Sequence, residues 1–195
     1  MLNAIETQFS SYFPKLKWLN LGGGHLMTKH GYNIEHLVRV LNNFKAKYPH
    51  LHVILEPGSA VAWQTGPLIA EIVDIVENNG PIAILDISVT AHMPDVLEMP
   101  YRPSIKDAQE ADELAFTYRL GGNSCLAGDV LPEYSFAEPL EVGQRIVFED
   151  MMHYTMVKTS FFNGVQHPAI GILRQDGKFD LIREFTYEDF LGRLS

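Results

Sequence analysis

Lys17-Trp18-Leu19-Asn20-Leu21-Gly22-Gly23-Gly24 reads as a short buried strand that stops at a run of glycines. Leu51-His52-Val53-Ile54-Leu55, stopped at Glu56-Pro57-Gly58, repeats the pattern. Between them Asn33 is placed to cap a helix whose apolar stripe is Ile34, Leu37, Val38 and Leu41, and Pro49 ends it. Strand, helix and strand in this order call for parallel pairing, because the crossover needs about a dozen residues or more. Upstream, Leu2, Ile5, Phe9, Tyr12 and Phe13 share one helical face, so the chain opens on a helix. Two parallel strands are not a stable sheet by themselves. The first 66 residues therefore either join the β-rich remainder of the chain or form the end of a larger α/β domain.

Beyond about residue 66 the pattern changes. Glu71 to Glu77, the turn Asn78-Asn79-Gly80 and Ile82 to Val89 read as a β-hairpin. The stretch from Ala91 to Glu113, broken by Pro94, Pro100 and Pro103, reads as irregular. Phe116 to Leu120, Arg145 to Glu149 and Val157 to Phe162 are further strand candidates. Ala169 to Arg174 and Phe179 to Arg183 flank Gln175-Asp176-Gly177-Lys178, a second hairpin signal. Thr186 with Asp189 caps a short final helix. The fold class expected is thus α/β followed by all-β, with residues 67–195 forming an antiparallel β-barrel or sandwich and a short terminal helix.

The chain has 195 residues, a net charge of −9 and 46% apolar residues, enough for a packed core. The acidic balance argues against nucleic acid as a partner, since phosphates are repelled. The single cysteine, Cys125, excludes an internal disulfide framework. No apolar run approaches the roughly 18 residues of a membrane span, and no signal peptide opens the chain, so a cytoplasmic protein is the expectation.

Several segments carry side chains or backbone suited to chemistry. Gly22-Gly23-Gly24 after a strand can wrap an anion with backbone N–H groups, or form a plain tight turn. Glu56 at a strand's C-terminal end stands where parallel barrels place catalytic groups, and its carboxylate can hold a protonated ring nitrogen; otherwise it is a solvated turn residue. His50, His52 and Glu56 share one face of an extended strand, but no fourth ligand follows, and a metal site is not expected. Cys125 lies in Gly121-Gly122-Asn123-Ser124-Cys125-Leu126-Ala127-Gly128-Asp129; a lone cysteine is commonly buried filler, but a glycine-rich loop around it can expose it at a site. Asp95, Glu98, Asp129 and Glu133 can present anions to a cationic substrate or remain solvated surface charges. In His92-Met93-Pro94-Asp95 the proline stiffens the placement of a His and an Asp.

Taken in order, Gly22-Gly23-Gly24, Glu56-Pro57-Gly58, the Cys125 loop and Phe148-Glu149-Asp150-Met151-Met152-His153-Tyr154-Thr155 resemble the fold-type III, alanine-racemase-like pyridoxal-phosphate decarboxylases. Trp18 to Thr28 and Ala91 to Tyr101 look like the carboxynorspermidine/carboxyspermidine decarboxylases of polyamine biosynthesis within that group. The resemblance implies that residues 1–66 are the last strands and helices of a TIM-type (β/α)8 barrel that binds pyridoxal 5'-phosphate, and that residues 67–195 are the C-terminal β domain. It implies a cofactor phosphate held by Gly22, Gly23, Gly24, Gly58 and Tyr154, and a ring nitrogen paired with Glu56. Cys125 would guide protonation of the carbanion across the interface of a homodimer. Glu56, His92, Asp95 and Asp129 would bind the substrate's amines or carboxylate.

Two departures qualify the likeness. Ser59 stands where ornithine-type enzymes carry an arginine, so phosphate is held differently there. Leu126 replaces an acidic residue that grips the distal amine in those enzymes, so that role passes elsewhere, with His92–Glu98 the candidate segment. The resemblance also implies a Schiff-base lysine far upstream of the glycine loop. Lys15 and Lys17, at the start of a late strand, do not match it. Hence the chain by itself is expected to lack decarboxylase activity. The rival readings are a non-catalytic β-domain piece that binds a partner chain, another diamino-acid decarboxylase, and a small His/Glu metalloenzyme.

Overall fold

A computed structural model describes residues 1–194. The chain forms two compact units, one of Met1–Trp63 and one beginning at Gln64. The sequence changes style near residue 66.

In the first unit α1 (Leu2–Phe9) passes into a 3₁₀ turn (Ser10–Lys15) that contains Pro14, which cannot continue an α-helical ladder. β1 (Trp18–Asn20), α2 (Ile34–Lys47) and β2 (His52–Ile54) come next, with β1 and β2 parallel and Trp18 opposite His52. Asn33 caps α2 as expected: its Oδ1 accepts the His36 N–H at 2.8 Å. The apolar stripe of α2 differs from its sequence reading. Ile34 and Val38 are exposed, whereas Phe44 is buried. Phe44 packs with Phe13 and Leu51, and Phe13 meets Phe44 and Tyr48 edge-on at 5.9 and 4.8 Å. Such aromatic pairs contribute about 0.5–1.5 kcal/mol each beyond their burial.

The second unit is built on β3 (Leu68–Glu77), β4 (Pro81–Leu85), β5 (Ala108–Glu110), β6 (Phe116–Gly121), β7 (Val130–Phe136) and β8 (Arg145–Phe148), joined in the order β5-β7-β6-β4-β3-β8. All neighbours are antiparallel except β4 and β6, which run parallel. The expected antiparallel barrel or sandwich is thus corrected to a curled mixed sheet. The reason is the connection: β4 reaches β6 only through a long crossover that holds α3 (Val89–His92), α4 (Pro94–Glu98) and β5. The curl brings Ile105, just ahead of edge strand β5, into a bridge with Phe148 of the opposite edge strand β8. Alternate residues of β3 and β4 (Ala70, Ile72, Ala83, Leu85) point into one core with Leu120, Leu131 and Phe148.

The crossover holds two corrections to the sequence reading. Residues 86–89 leave the sheet instead of extending the hairpin, because Ser88 Oγ accepts the Ala91 N–H at 3.1 Å and starts α3. Pro94 at the first turn starts α4. Two further readings change downstream. β7 was not expected, since Pro132 interrupts its pattern; Pro132 falls where the β6–β7 register shifts, between the pairs Arg119–Glu133 and Leu120–Leu131. Val157 to Phe162 is not a strand: α5 (Tyr154–Val157) occupies its start. β9 (Ile170–Leu173) and β10 (Phe179–Arg183) form the second hairpin, with Gly177 at φ +82°, and α6 (Tyr187–Leu194) ends the described chain. Asp189 Oδ2 accepts the Thr186 N–H at 2.8 Å at its start.

Candidate active site

In the first unit the glycine loop and Glu56 are assembled by backbone contact. Glu56 N–H donates to Gly22 O at 2.9 Å, extending the β1–β2 pairing by one step. A Cβ at Gly23 would lie 2.4 Å from Glu56 O, so only glycine allows this approach. Gly22 and Gly24 have φ of +69° and +88°, with open space where a Cβ would stand. The sequence reading missed Asn20. Its Oδ1 accepts the Gly22 N–H at 2.8 Å while its Nδ2 donates to Glu56 Oε1 at 2.7 Å. One carboxamide therefore fixes both the loop and the carboxylate. The available signal was an amide at the end of an otherwise apolar strand. Glu56 itself is exposed. Gly58 accepts the Val61 N–H on its carbonyl at 2.9 Å, in the turn beyond Glu56.

His50 is directed away from Glu56's loop: its Nε2 lies 3.0 Å from Phe13 O. Among the described residues no group of three or more His, Cys, Asp or Glu side chains converges as a metal site.

The second unit places His92, Asp95, Cys125, Asp129 and Tyr154. Cys125 is exposed in the loop between β6 and β7. Tyr154 opens α5 and is half exposed. The two aspartates, expected to face a substrate, are buried and turned to other partners. Asp95 Oδ2 accepts the Tyr101 hydroxyl at 2.7 Å and the Thr155 hydroxyl at 2.9 Å, which ties α4 to the helix that carries Tyr154. Burial first, and the Asp95 partner second, push the Tyr101 hydroxyl well above its ordinary pKa, so it stays a donor. Asp129 Oδ1 accepts Ser88 Oγ–H and Thr90 N–H, each at 3.1 Å, and its Oδ2 accepts Ser124 N–H at 2.9 Å. Burial alone would raise the Asp129 pKa; the hydrogen bonds from Ser124, Thr90 and Ser88 outweigh it and hold the carboxyl below its usual value.

His92 is buried and lines a cavity of about 200 Å³ with Met151, Met152, Met156, His167 and Phe185. Its Nδ1 accepts the Ser88 N–H at 3.2 Å, so the neutral ring carries its proton on Nε2. Among the described residues that Nε2 has no hydrogen-bond partner. Burial, reinforced by His167, lowers its pKa from 6.5 to about 4, so His92 is neutral at physiological pH. It is therefore a neutral donor in an apolar wall and not a cationic partner for a carboxylate.

A parallel β–α–β unit followed by a curled mixed sheet is the architecture of one class of pyridoxal-dependent decarboxylase. The chain belongs to it: the family described as "Pyridoxal-dependent decarboxylase, C-terminal sheet domain" matches residues 19–152. Among its relatives is carboxyaminopropylagmatine decarboxylase of Synechocystis sp., 56% identical over 194 residues, 99% of this chain and 50% of that protein. Another is carboxynorspermidine/carboxyspermidine decarboxylase of Campylobacter jejuni, 44% identical over 97% of this chain and 52% of that protein. The crystal structure of carboxynorspermidine decarboxylase complexed with norspermidine, also from Campylobacter jejuni, is similar with a TM-score of 0.87 at 45% identity, covering 98% of this chain and 55% of that one. Lysine/ornithine decarboxylase of Vibrio vulnificus shares the fold, with a TM-score of 0.68 at 20% identity over 85% of this chain and 48% of that one. The chain spans about half the length of the curated relatives it matches.

Proposed function

We propose that this chain forms part of a pyridoxal-phosphate-dependent decarboxylase that releases carbon dioxide from a carboxylated polyamine, carboxynorspermidine or carboxyspermidine, to give norspermidine or spermidine. The observation that carries the reading is the Asn20 bridge, which holds Glu56 beside a glycine loop with open space at Gly22 and Gly24. These residues fit the cofactor: with the Gly22 N–H held by Asn20, the N–H groups of Gly23 and Gly24 suit a phosphate, and an exposed carboxylate suits a protonated pyridine nitrogen. When bound, pyridoxal phosphate supplies an electron sink for the electron pair left by departing carbon dioxide.

The chain's own residues then have separable tasks. Gly22, Gly23, Gly24 and Gly58 hold the phosphate, and the Tyr154 hydroxyl is a further candidate to bind it. Glu56 keeps the ring nitrogen protonated, and Asn20 keeps Glu56 in place. Cys125 holds a proton at Sγ for delivery to the carbon that has lost carbon dioxide. In this reading β1 and β2 are strands of a larger α/β barrel, the enzyme is a cytoplasmic homodimer, and Cys125 serves the partner's cofactor.

A second reading of the substrate rests on the 56% identity to carboxyaminopropylagmatine decarboxylase. It replaces the distal amine by the end group of agmatine and leaves the reacting carbon unchanged. Carbon dioxide release by the holoenzyme that contains this chain, measured with carboxynorspermidine, carboxyspermidine and carboxyaminopropylagmatine in parallel, tests both. The highest kcat/KM on either carboxylated polyamine supports the first reading, and on carboxyaminopropylagmatine the second. Release from none of them, with ornithine or lysine turned over instead, overturns both.

A further inference from the structure

Cys125 sits in a loop whose flanking glycines, Gly122 and Gly128, would leave it free to move unless something anchors it. The anchor is Asp129. Its backbone carbonyl accepts the Gly122 N–H at 2.7 Å and its own N–H donates to Leu126 O at 3.0 Å, closing the loop on either side of Cys125. Its carboxylate then reaches into the loop to the N–H of Ser124, the residue before the cysteine, at 2.9 Å. The other oxygen is held by Ser88 and Thr90 at the start of α3. A Cβ at Gly122 would lie 2.4 Å from Asp129 Oδ2, so the loop is shaped around the carboxyl group. Asp129 is 2% exposed, and both of its carboxylate oxygens already accept from Ser88, Thr90 and Ser124.

We propose that Asp129 is a positioning residue for Cys125: it does not touch the substrate but fixes the loop, and so the place at which the thiol meets the reacting carbon. The inference rests on the reading that Cys125 takes part in the reaction. It also explains how α3 is coupled to that thiol, since Ser88 both starts α3 and holds Asp129.

The test is a double-mutant cycle in the holoenzyme that contains this chain, with Cys125→Ala, Asp129→Asn and the pair. Asn keeps the size of the side chain but turns an NH₂ group toward donors. Asp129→Asn should lower kcat at least tenfold with KM within about threefold. In the Cys125→Ala background it should lower kcat less than twofold further, because the group it positions is gone. Additive losses overturn the inference while leaving Cys125 in its role. An unchanged kcat in Cys125→Ala overturns the reading of Cys125 itself. A second readout needs no turnover: Cys125 is the only cysteine of this chain, and its alkylation by iodoacetamide should change at least fivefold in Asp129→Asn. A rate within twofold of the original overturns the proposal. Should Asp129→Asn fail to fold, Ser88→Ala decides. It should lower kcat about threefold and non-additively with Cys125→Ala, and an unchanged kcat overturns the proposal.

Discussion

The loop after β1 and the loop after β6 both carry glycines and both lie against a carboxylate, yet the two carboxylates live in opposite surroundings. Glu56 is exposed, with Asn20 as its side-chain donor. Asp129 is buried, with the Ser88 hydroxyl and the Thr90 and Ser124 N–H groups as donors. A carboxylate with free lone pairs in the open can take a ligand. One that is buried, with both oxygens held by donors of its own protein, shapes what surrounds it. The difference separates ligand-facing from loop-shaping residues more sharply than residue type does, and it can be tested by removing each charge.

The largest expected effect is on Asp129. Asp129→Ala leaves the buried Ser88 hydroxyl and the half-buried Thr90 and Ser124 N–H groups without an acceptor, and should destabilise the second unit by about 3–5 kcal/mol. Urea denaturation followed by fluorescence measures it. Losses of the same size in Asp129→Ala and Glu56→Ala would erase the contrast. Because the folded-state pKa of Asp129 is depressed, its contribution is present above the usual carboxylate pKa and is lost only as pH falls below it.

His92 titrates in a different window and sharpens the same contrast between buried and open groups. Its pKa falls from 6.5 to about 4 on folding, so the unfolded chain binds the proton first as pH drops. Above pH 6.5 the ring is neutral in both states and contributes no pH dependence. Between about pH 6.5 and 4 stability falls, by on the order of 3 kcal/mol. His167 beside it, lowered by burial, acts in the same direction, while the Asp129 carboxylate opposes it weakly. Replacing His92 with Gln, which can still accept the Ser88 N–H, should flatten the loss of melting temperature between pH 6.5 and 4.5. An unchanged slope would mean that His92 is already protonated in the folded state.

Gly23→Ala comes next. The added Cβ would meet the Glu56 carbonyl oxygen at 2.4 Å, and backbone must move to relieve it, at a cost of about 1–3 kcal/mol. Gly24→Ala meets no atom of the described residues within 4 Å but must hold φ +88°, which costs about 1–2 kcal/mol. Thermal unfolding separates the two when read with cofactor titration. Gly23→Ala displaces Glu56 and should weaken cofactor binding more than Gly24→Ala does. Equal affinities would show that the close approach is not what assembles the loop.

How much of this was legible in the sequence depends on how local each feature is. Asn33 capping α2, the Asn79-Gly80 hairpin turn and Gly177 in the second hairpin are short-range chemistry, and each is where the residues indicate. The glycine loop and Glu56 are legible too, because the backbone requirement writes itself as glycines. α3 and α4 were hidden in a proline-bearing stretch that reads as irregular, although Pro94 in fact begins a helix. β7 was hidden by Pro132, which a register shift accommodates. Val157 to Phe162 is apolar enough for a strand, and a short apolar run does not distinguish strand from helix. The inward turn of Asp95 and Asp129 was not legible. Their partners Thr155 and Ser88 lie 60 and 41 residues away, and only the assembled fold brings them together.

Glu56→Gln has the smallest expected effect on stability and for that reason is the most informative about function. Gln keeps the oxygen that accepts from Asn20 Nδ2, removes the charge and replaces the second oxygen by an NH₂ group. An exposed substitution of this kind should change stability by less than about 0.5 kcal/mol. A hydrogen bond to a charged group is worth about 1.5–3 kcal/mol, so losing the pairing with a protonated ring nitrogen should lower kcat of the holoenzyme by about 10–100-fold. Asn20→Ala, which leaves the charge but frees the side chain that carries it, should fall between Glu56→Gln and the unmodified enzyme. The order matters more than the sizes. Were Asn20→Ala the more damaging of the two, the bridge would act mainly through Gly22 and the phosphate, and the ring-nitrogen role of Glu56 would have to be given up.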